Sequence, residues 1–164
     1  LKPFSSIELL NLGLESEPKL SHFTQHKFSI QPSQKISENA QIDAKAIFEK
    51  GLKFGQEYKT KNDYIILGES VPSGTSTAKA TAMALGYDAK NLFSSSYKNN
   101  PFDLKEFTIQ KALEHIKKSD TMFQKLGKVS DNMLLFNAGF LYGIDSKIKI
   151  ILAGGTQMAS VLLI

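Results

Sequence analysis

One short run of this sequence gathers residues that could do chemistry on an anion. Glu69 brings a carboxylate, and Ser73, Gly74, Thr75, Ser76 and Thr77 bring hydroxyls and an unencumbered backbone. Such a run suits a phosphate, because each hydroxyl can donate a hydrogen bond and glycine lets an oxygen approach backbone N–H groups closely. A second small-residue turn, Gly154-Gly155-Thr156, lies further along the chain. Between the two, Ser94, Ser95 and Ser96 either add hydroxyls or form a helix-capping turn. Glu69 has two open readings: a carboxylate that meets a sugar hydroxyl or steers a proton, or a loop residue that caps nearby N–H groups. Lys105 opens a helical segment and, taken alone, is a surface lysine, while Asp131-Asn132 is most simply an N-cap. His22 and His26 have the i, i+4 spacing of a metal pair, but no third ligand accompanies them. Surface histidines are expected there, with no metal and no cofactor.

These residues need elements to position them. Tyr64-Ile65-Ile66-Leu67 predicts a short strand buried on both faces, and Ala78 to Leu85 a tightly packed helix stopped by Gly86. Lys147 to Ala153 predicts a second strand, running into Gly154-Gly155-Thr156-Gln157. Strand, small-residue loop and helix start thus occur twice, which implies parallel strands whose loops meet at their carboxyl ends. A helix start offers unpartnered N–H groups and a dipole that favours negative charge. The 73–77 loop is not a Walker loop, since the Gly-Lys-Ser/Thr ending is missing and Lys79 falls inside the helix; nor is it Gly-x-Gly-x-x-Gly.

Elsewhere, Ile42 to Tyr58 predicts an amphipathic helix with Ile42, Ala46, Ile47, Phe48 and Leu52 inward. Leu104 to Lys118 predicts another, with Leu104, Phe107, Ile109, Leu113 and Ile116 on or near one face and His115 exposed. Asp131 to Gly143 predicts a third. Ile7 to Leu14 is a short helix or strand, and Phe28 to Glu38 an extended arm. The fold class is α/β, with residues 1–164 as one domain: a peripheral arm over 1–43 and a core over 44–164.

Composition narrows the partners. The net charge of +4 comes from lysine without a single arginine, the residue best suited to bidentate phosphate forks and to reading guanine. No nucleic-acid partner is expected, and any phosphate site must use backbone, hydroxyls and lysine. The absence of cysteine removes disulfides and thiolate metal sites. No long apolar run or basic leader is visible, so no membrane partner and a cytoplasmic location are expected. The first residue is Leu1 and the last are Val161-Leu162-Leu163-Ile164, which reads as a fragment.

The segment Gly68-Glu69-Ser70-Val71-Pro72-Ser73-Gly74-Thr75-Ser76-Thr77-Ala78 resembles the Gly-Glu-x-x-x-Gly-x-Thr-Thr-Ala-like motif of the nicotinate-nucleotide–dimethylbenzimidazole phosphoribosyltransferases. Three more segments follow in that family's order: Phe93 to Ser96 with Asn100-Pro101 and Leu104-Lys105; Ser130-Asp131-Asn132-Met133; and Leu152-Ala153-Gly154-Gly155-Thr156-Gln157-Met158-Ala159. The match runs over about residues 42–164 and looks like a related, less characterised branch. Ser70-Val71-Pro72 stands where the family has a Met-Gly-Ile type of sequence, and Ser73 where glycine is usual. The resemblance implies a three-layer α/β/α fold with a mainly parallel, Rossmann-like sheet, usually dimeric. It also implies transfer of phosphoribose from nicotinate mononucleotide to a benzimidazole-type base in cobalamin lower-ligand synthesis. By the same resemblance the 73–77 loop, Ser95 and Lys105 would hold the phosphate, Glu69 would contact ribose or base, and Gly154, Gly155 and Thr156 would line the cleft. The family's catalytic glutamate falls in a C-terminal part that lies beyond Ile164. The alternative is a non-catalytic or regulatory binder of a phosphorylated metabolite.

Overall fold

The computed structural model describes residues 6–19, 21–72, 74–89, 92–93 and 102–164. Two short parallel strands, β1 (Glu8–Asn11) and β2 (Thr24–Lys27), form a ribbon in the arm. His26 therefore stands on a strand and not on a helix face. Its Nε2 lies 2.8 Å from Glu8 Oε2, and Tyr58 donates to the other Glu8 oxygen at 3.0 Å. Burial and the adjacent Glu8 carboxylate push the Tyr58 phenol up to about 12. Phe28 carries the arm inward by packing on Phe136, ring centres 4.4 Å apart.

The predicted helix after the arm is α1 (Ala44–Glu57), started by Asp43, whose carboxylate accepts the Ala46 N–H at 3.0 Å. Next come β3 (Tyr64–Gly68) and α2 (Gly74–Ala84). α2 starts four residues earlier than its alanine run suggests, so Thr75, Ser76 and Thr77 form its first turn instead of a loop. It ends in a Schellman turn: Tyr87 N–H reaches Ala82 O at 3.1 Å and Gly86 N–H reaches Met83 O at 3.0 Å. Gly86 sits at φ +93°, where glycine escapes the steric cost of a Cβ.

Beyond it lie α3 (Phe102–Glu114), α4 (Met122–Val129), α5 (Asn132–Gly143), β4 (Lys149–Ala153) and the short α6 (Thr156–Ser160). α3 buries Ile109 and Ala112 but leaves Leu104 and Phe107 exposed, so the expected single apolar face is only partly used. His115, expected to be exposed, is half-buried, its Nε2 3.1 Å from Ser37 O. α4 was not expected; its signal is the capping box Thr121-x-x-Gln124, in which side chain and backbone exchange hydrogen bonds at both ends.

β3 and β4 pair in parallel with Ile65 opposite Ile150 and Gly68 opposite Ala153. Ile65, Leu67, Ile150 and Leu152 turn into the main core, whereas Tyr64, Ile66 and Ile151 are about half exposed. The expectation of a strand buried on both faces is thus wrong for the described residues, where the helices pack on one side of the pair.

α5 is buried on all sides from Asn132 to Phe140. It meets α1 backbone to backbone through glycines spaced i, i+4 on both helices. A Cβ on Gly51 would lie 2.0 Å from Phe136 O, and one on Gly139 would lie 2.0 Å from Phe48 O. Gly55 and Gly143 extend the contact by one turn, with hypothetical Cβ contacts of 2.5 and 2.2 Å to backbone oxygens. Backbone cannot yield as a side-chain tip can, so Gly51→Ala or Gly139→Ala is expected to cost about 3 kcal/mol or more in chemical denaturation. Gly155→Ala is the control: its Cβ would meet nothing within 4 Å, and a change within about 0.5 kcal/mol is expected.

Candidate functional site

The register of β3 and β4 decides where the candidate residues gather. With Gly68 opposite Ala153, the loops leaving the two strands start side by side. This is the carboxyl end of a parallel pair, where open α/β sheets place ligands.

On the β3 side, Glu69 is half-buried and its Oε2 accepts the Val71 N–H at 2.7 Å. The capping reading is therefore realised by one carboxylate oxygen. Gly74 opens α2 directly against Gln157: a Cβ there would come within 1.8 Å of Gln157 Nε2. No side chain larger than hydrogen fits unless that amide moves. Thr75 follows in the first turn, and Lys105 reaches across from α3 to donate to its Oγ1 at 3.2 Å. One turn on, the buried Lys79 pairs with Glu106. The two contacts brace α2 against α3 and bring the Lys105 ammonium to the positive end of α2, where an anion would be favoured. Ser76 and Thr77 are half-buried in that turn. Ser73 and Ser95 lie outside the described residues.

On the β4 side, Gly154 packs against Met158, Gly155 stands before α6, and Thr156 Oγ1 is buried without a hydrogen-bond partner. α6 has only five residues, so its dipole adds little, and this second device is weaker than the first.

Two residues that sequence reasoning did not assign to the site carry buried, unpartnered polar atoms. Gln157 is buried with Nε2 unpartnered. Asp131 is the N-cap of α5, as its sequence signalled: Oδ1 accepts the Leu134 N–H at 2.8 Å. What the sequence did not signal is its depth, with the residue 8% exposed and Oδ2 without a partner. Burial above all pushes the Asp131 carboxyl up to about 6, against hydrogen bonds from Leu134 and Met133 N–H and with a further push from the Glu69 charge. Next to it, Asn132 donates through Nδ2 to Leu12 O and Gln31 O, both at 2.8 Å, tying the arm to the head of α5.

A groove of about 500 Å³ beside Lys59, Asp63, Asp145, Lys147 and Lys149 lies at the opposite, amino ends of β3 and β4. It is polar and open, and it is not the candidate site. No group of three or more metal-ligating side chains occurs among the described residues, and no described helix is long and apolar enough to cross a membrane.

Comparison with known proteins places this fold. No family model matches the chain. In sequence it is 39% identical over 154 residues to a UPF0284 protein of Saccharolobus solfataricus, covering 93% of this chain and 42% of that protein. A UPF0284 protein of Sulfurisphaera tokodaii is 43% identical over 117 residues, 71% of this chain and 33% of the relative. The chain therefore spans less than half the length of the curated relatives it matches. In structure it resembles the nicotinate-nucleotide–dimethylbenzimidazole phosphoribosyltransferase of Thermus thermophilus, with a TM-score of 0.70 at 17% identity over 94% of this chain and 47% of that one. A second structure, CobT from the same organism, matches equally well, with a TM-score of 0.70 at 18% identity over 94% of this chain and 48% of that one. The resemblance read from the motifs holds at the level of the fold: the α/β fold is that of the solved transferase, and the sequence relatives are UPF0284 proteins.

The depth of Asp131 has a measurable consequence without any ligand. Its carboxyl binds a proton more tightly folded than unfolded, so it adds stability below about pH 4, and that stability is lost as pH rises through about 6. Asp131→Asn keeps the cap and removes the titration. The stability of the variant relative to wild type is expected to rise between about pH 4 and 6 by roughly 3 kcal/mol and then level off, as read by urea denaturation.

Proposed function

We propose that the full-length protein is a phosphoribosyltransferase-like enzyme that binds a nicotinate-type mononucleotide and passes its phosphoribose to a benzimidazole-type base. The observation that carries this reading is the Lys105–Thr75 contact at the start of α2. It puts a cation, a hydroxyl and a helix N-terminus together beside the paired strand ends. A ribose 5′-phosphate fits all three at once. The motif order and the shared fold support the same reading.

The reaction needs modest chemistry from the protein. A ring nitrogen of the base attacks C1′ of the ribose while the bond from C1′ to the nicotinate nitrogen breaks, its electron pair returning to that ring. The sugar passes through a state with oxocarbenium character, and the attacking ring loses its N–H proton to a carboxylate. The groups described here bind and orient. Lys105 and the first turn of α2 would hold the phosphate, and Glu69 would meet the ribose or base. Ser73 and Ser95 would extend the phosphate contacts, and Gly154, Gly155 and Thr156 would form the facing wall. A homodimer acting in the cytoplasm belongs to the same proposal.

Full-length protein incubated with nicotinate mononucleotide and 5,6-dimethylbenzimidazole is expected to release nicotinate. Lys105→Ala is expected to weaken nucleotide binding by about ten- to a hundred-fold, the range for losing a charged hydrogen bond. No turnover, together with no thermal stabilisation by millimolar nucleotide, would falsify the proposal. Stabilisation without product would instead favour a non-catalytic binder of a phosphorylated metabolite.

A further inference from the structure

The start of α2 meets a side chain whose polarity packing does not explain. Gly74 is already helical, so its backbone conformation does not require glycine. What requires glycine there is space. A Cβ on Gly74 would lie 1.8 Å from Gln157 Nε2 and 2.4 Å from Gln157 Oε1. The Gln157 amide thus fills the place of a side chain at the head of α2. Gln157 is 5% exposed, and its Nε2 has no hydrogen-bond partner among the described residues.

An apolar side chain of similar volume, such as methionine, would fill the same space without burying an unpaired donor. Buried polar atoms are nearly always paired, and an exception marks a place where something else completes the set. The neighbouring Thr156 Oγ1 is buried and unpartnered as well. An amide N–H and a hydroxyl in one turn therefore both lack an acceptor.

The surroundings say which kind of acceptor fits. α2 is an eleven-residue helix, whose first N–H groups have no partner within it and whose dipole favours an anion. Lys105 brings an ammonium to the same turn by its 3.2 Å contact with Thr75 Oγ1. Glu106, the acidic residue next to Lys105, is taken by Lys79. Cation, helix start and buried amide donor all call for an oxyanion.

We propose that Gln157 is a binding residue for an anion held at the start of α2, its Nε2 donating to an oxygen of that anion. The terminal bond of a glutamine side chain turns readily, and that rotation carries Nε2 from Gly74 to the ligand oxygen. The fold keeps a donor that it leaves unpaired, and the anion pairs it. That the anion is the phosphate of a mononucleotide rests on the function proposed above; the placing of the amide against α2 does not.

The test uses the full-length protein with Gln157→Met and Gln157→Glu, and with Lys105→Ala for comparison. Gln157→Met removes the unpaired donor at nearly constant volume, so its urea midpoint is expected to lie above that of wild type. A lower midpoint would overturn the proposal, because the amide would then be satisfied inside the protein. Affinity for ribose 5-phosphate and for nicotinate mononucleotide, read by calorimetry, is expected to drop about ten-fold in Gln157→Met, the effect of one lost donor. Gln157→Glu is expected to lose more, since a carboxylate would then face the phosphate. A purely structural side chain would lower stability and affinity together, so a rise in one with a fall in the other is the signature. Unchanged affinity in Gln157→Met beside weakened binding in Lys105→Ala would overturn the role of Gln157 and leave the nucleotide reading standing. Ribose 5-phosphate held through Gln157, with no binding of nicotinate mononucleotide, would keep that role and remove the nucleotide reading. Binding of neither probe by wild type would overturn both.

Discussion

The contact on which the rest depends is the backbone meeting of α1 and α5. With four glycines at the crossing, the two helices approach until carbonyl oxygens occupy the space of the missing side chains. That closeness lets α5 run through the interior, buried on every side from Asn132 to Phe140, with Asp131 at its head. A helix held this tightly has little freedom to slide or roll, because interiors are packed as densely as crystals. Its first turn is therefore a fixed reference for whatever is built around it. The arm is tied to that turn through Asn132, and the main core forms along its length around Leu134, Leu135 and Phe136.

A second constraint, the parallel register of β3 and β4, converts this scaffold into a site. Pairing Gly68 with Ala153 makes the two loops leave the sheet together. α2 then runs between two apolar clusters, Ala78 in one and Ala80 and Ala84 in the other. Only small side chains fit a helix enclosed in this way, which accounts for its alanine-rich sequence. The Lys79–Glu106 pair and the Lys105–Thr75 contact set α3 beside it. Position thus passes from the glycine contact to α5, from the sheet to α2, and from α2 to the lysine of α3.

What the sequence revealed and what it concealed divide along a physical line. Local signals were legible: the 3.6 period of α1, Asp131 as a cap, Gly86 as a stop, and the two apolar runs that became β3 and β4. The α/β class and the meeting of the two loops followed from these. Quantities that depend on neighbours were not legible. Ile66 and Ile151 look like core residues in a row of apolar ones, yet they face outward because the described helices cover the other face. Leu104 and Phe107 sit in a helical pattern with Ile109, but α2 and the arm meet α3 only on the Ile109 side. Gln157 looked like an ordinary residue after a glycine turn, and nothing local shows that Gly74 would be pressed against it. Asp131 was read correctly as a cap, but its depth is set by the strands and helices around it.

The distribution of charge follows from the same placement. In a sequence without arginine the cationic part of an anion site falls to lysine, and a lysine already neutralised by a carboxylate contributes little. Lys79, the lysine inside α2, is cancelled by Glu106. Lys105 instead touches a neutral hydroxyl, and among the described residues it has no acidic partner. Across the strand ends the balance is reversed: Glu69 is half-exposed, and its Oε2 accepts only the Val71 N–H. Among the described residues the candidate site therefore has a lysine side at α2 and α3 and the Glu69 carboxylate at the end of β3. A molecule that satisfies both must carry its anion at one end and a hydrogen-bond donor some way along. A mononucleotide, with a phosphate on one carbon of the ribose and hydroxyls on others, meets that requirement, whereas inorganic phosphate alone answers only one side of it.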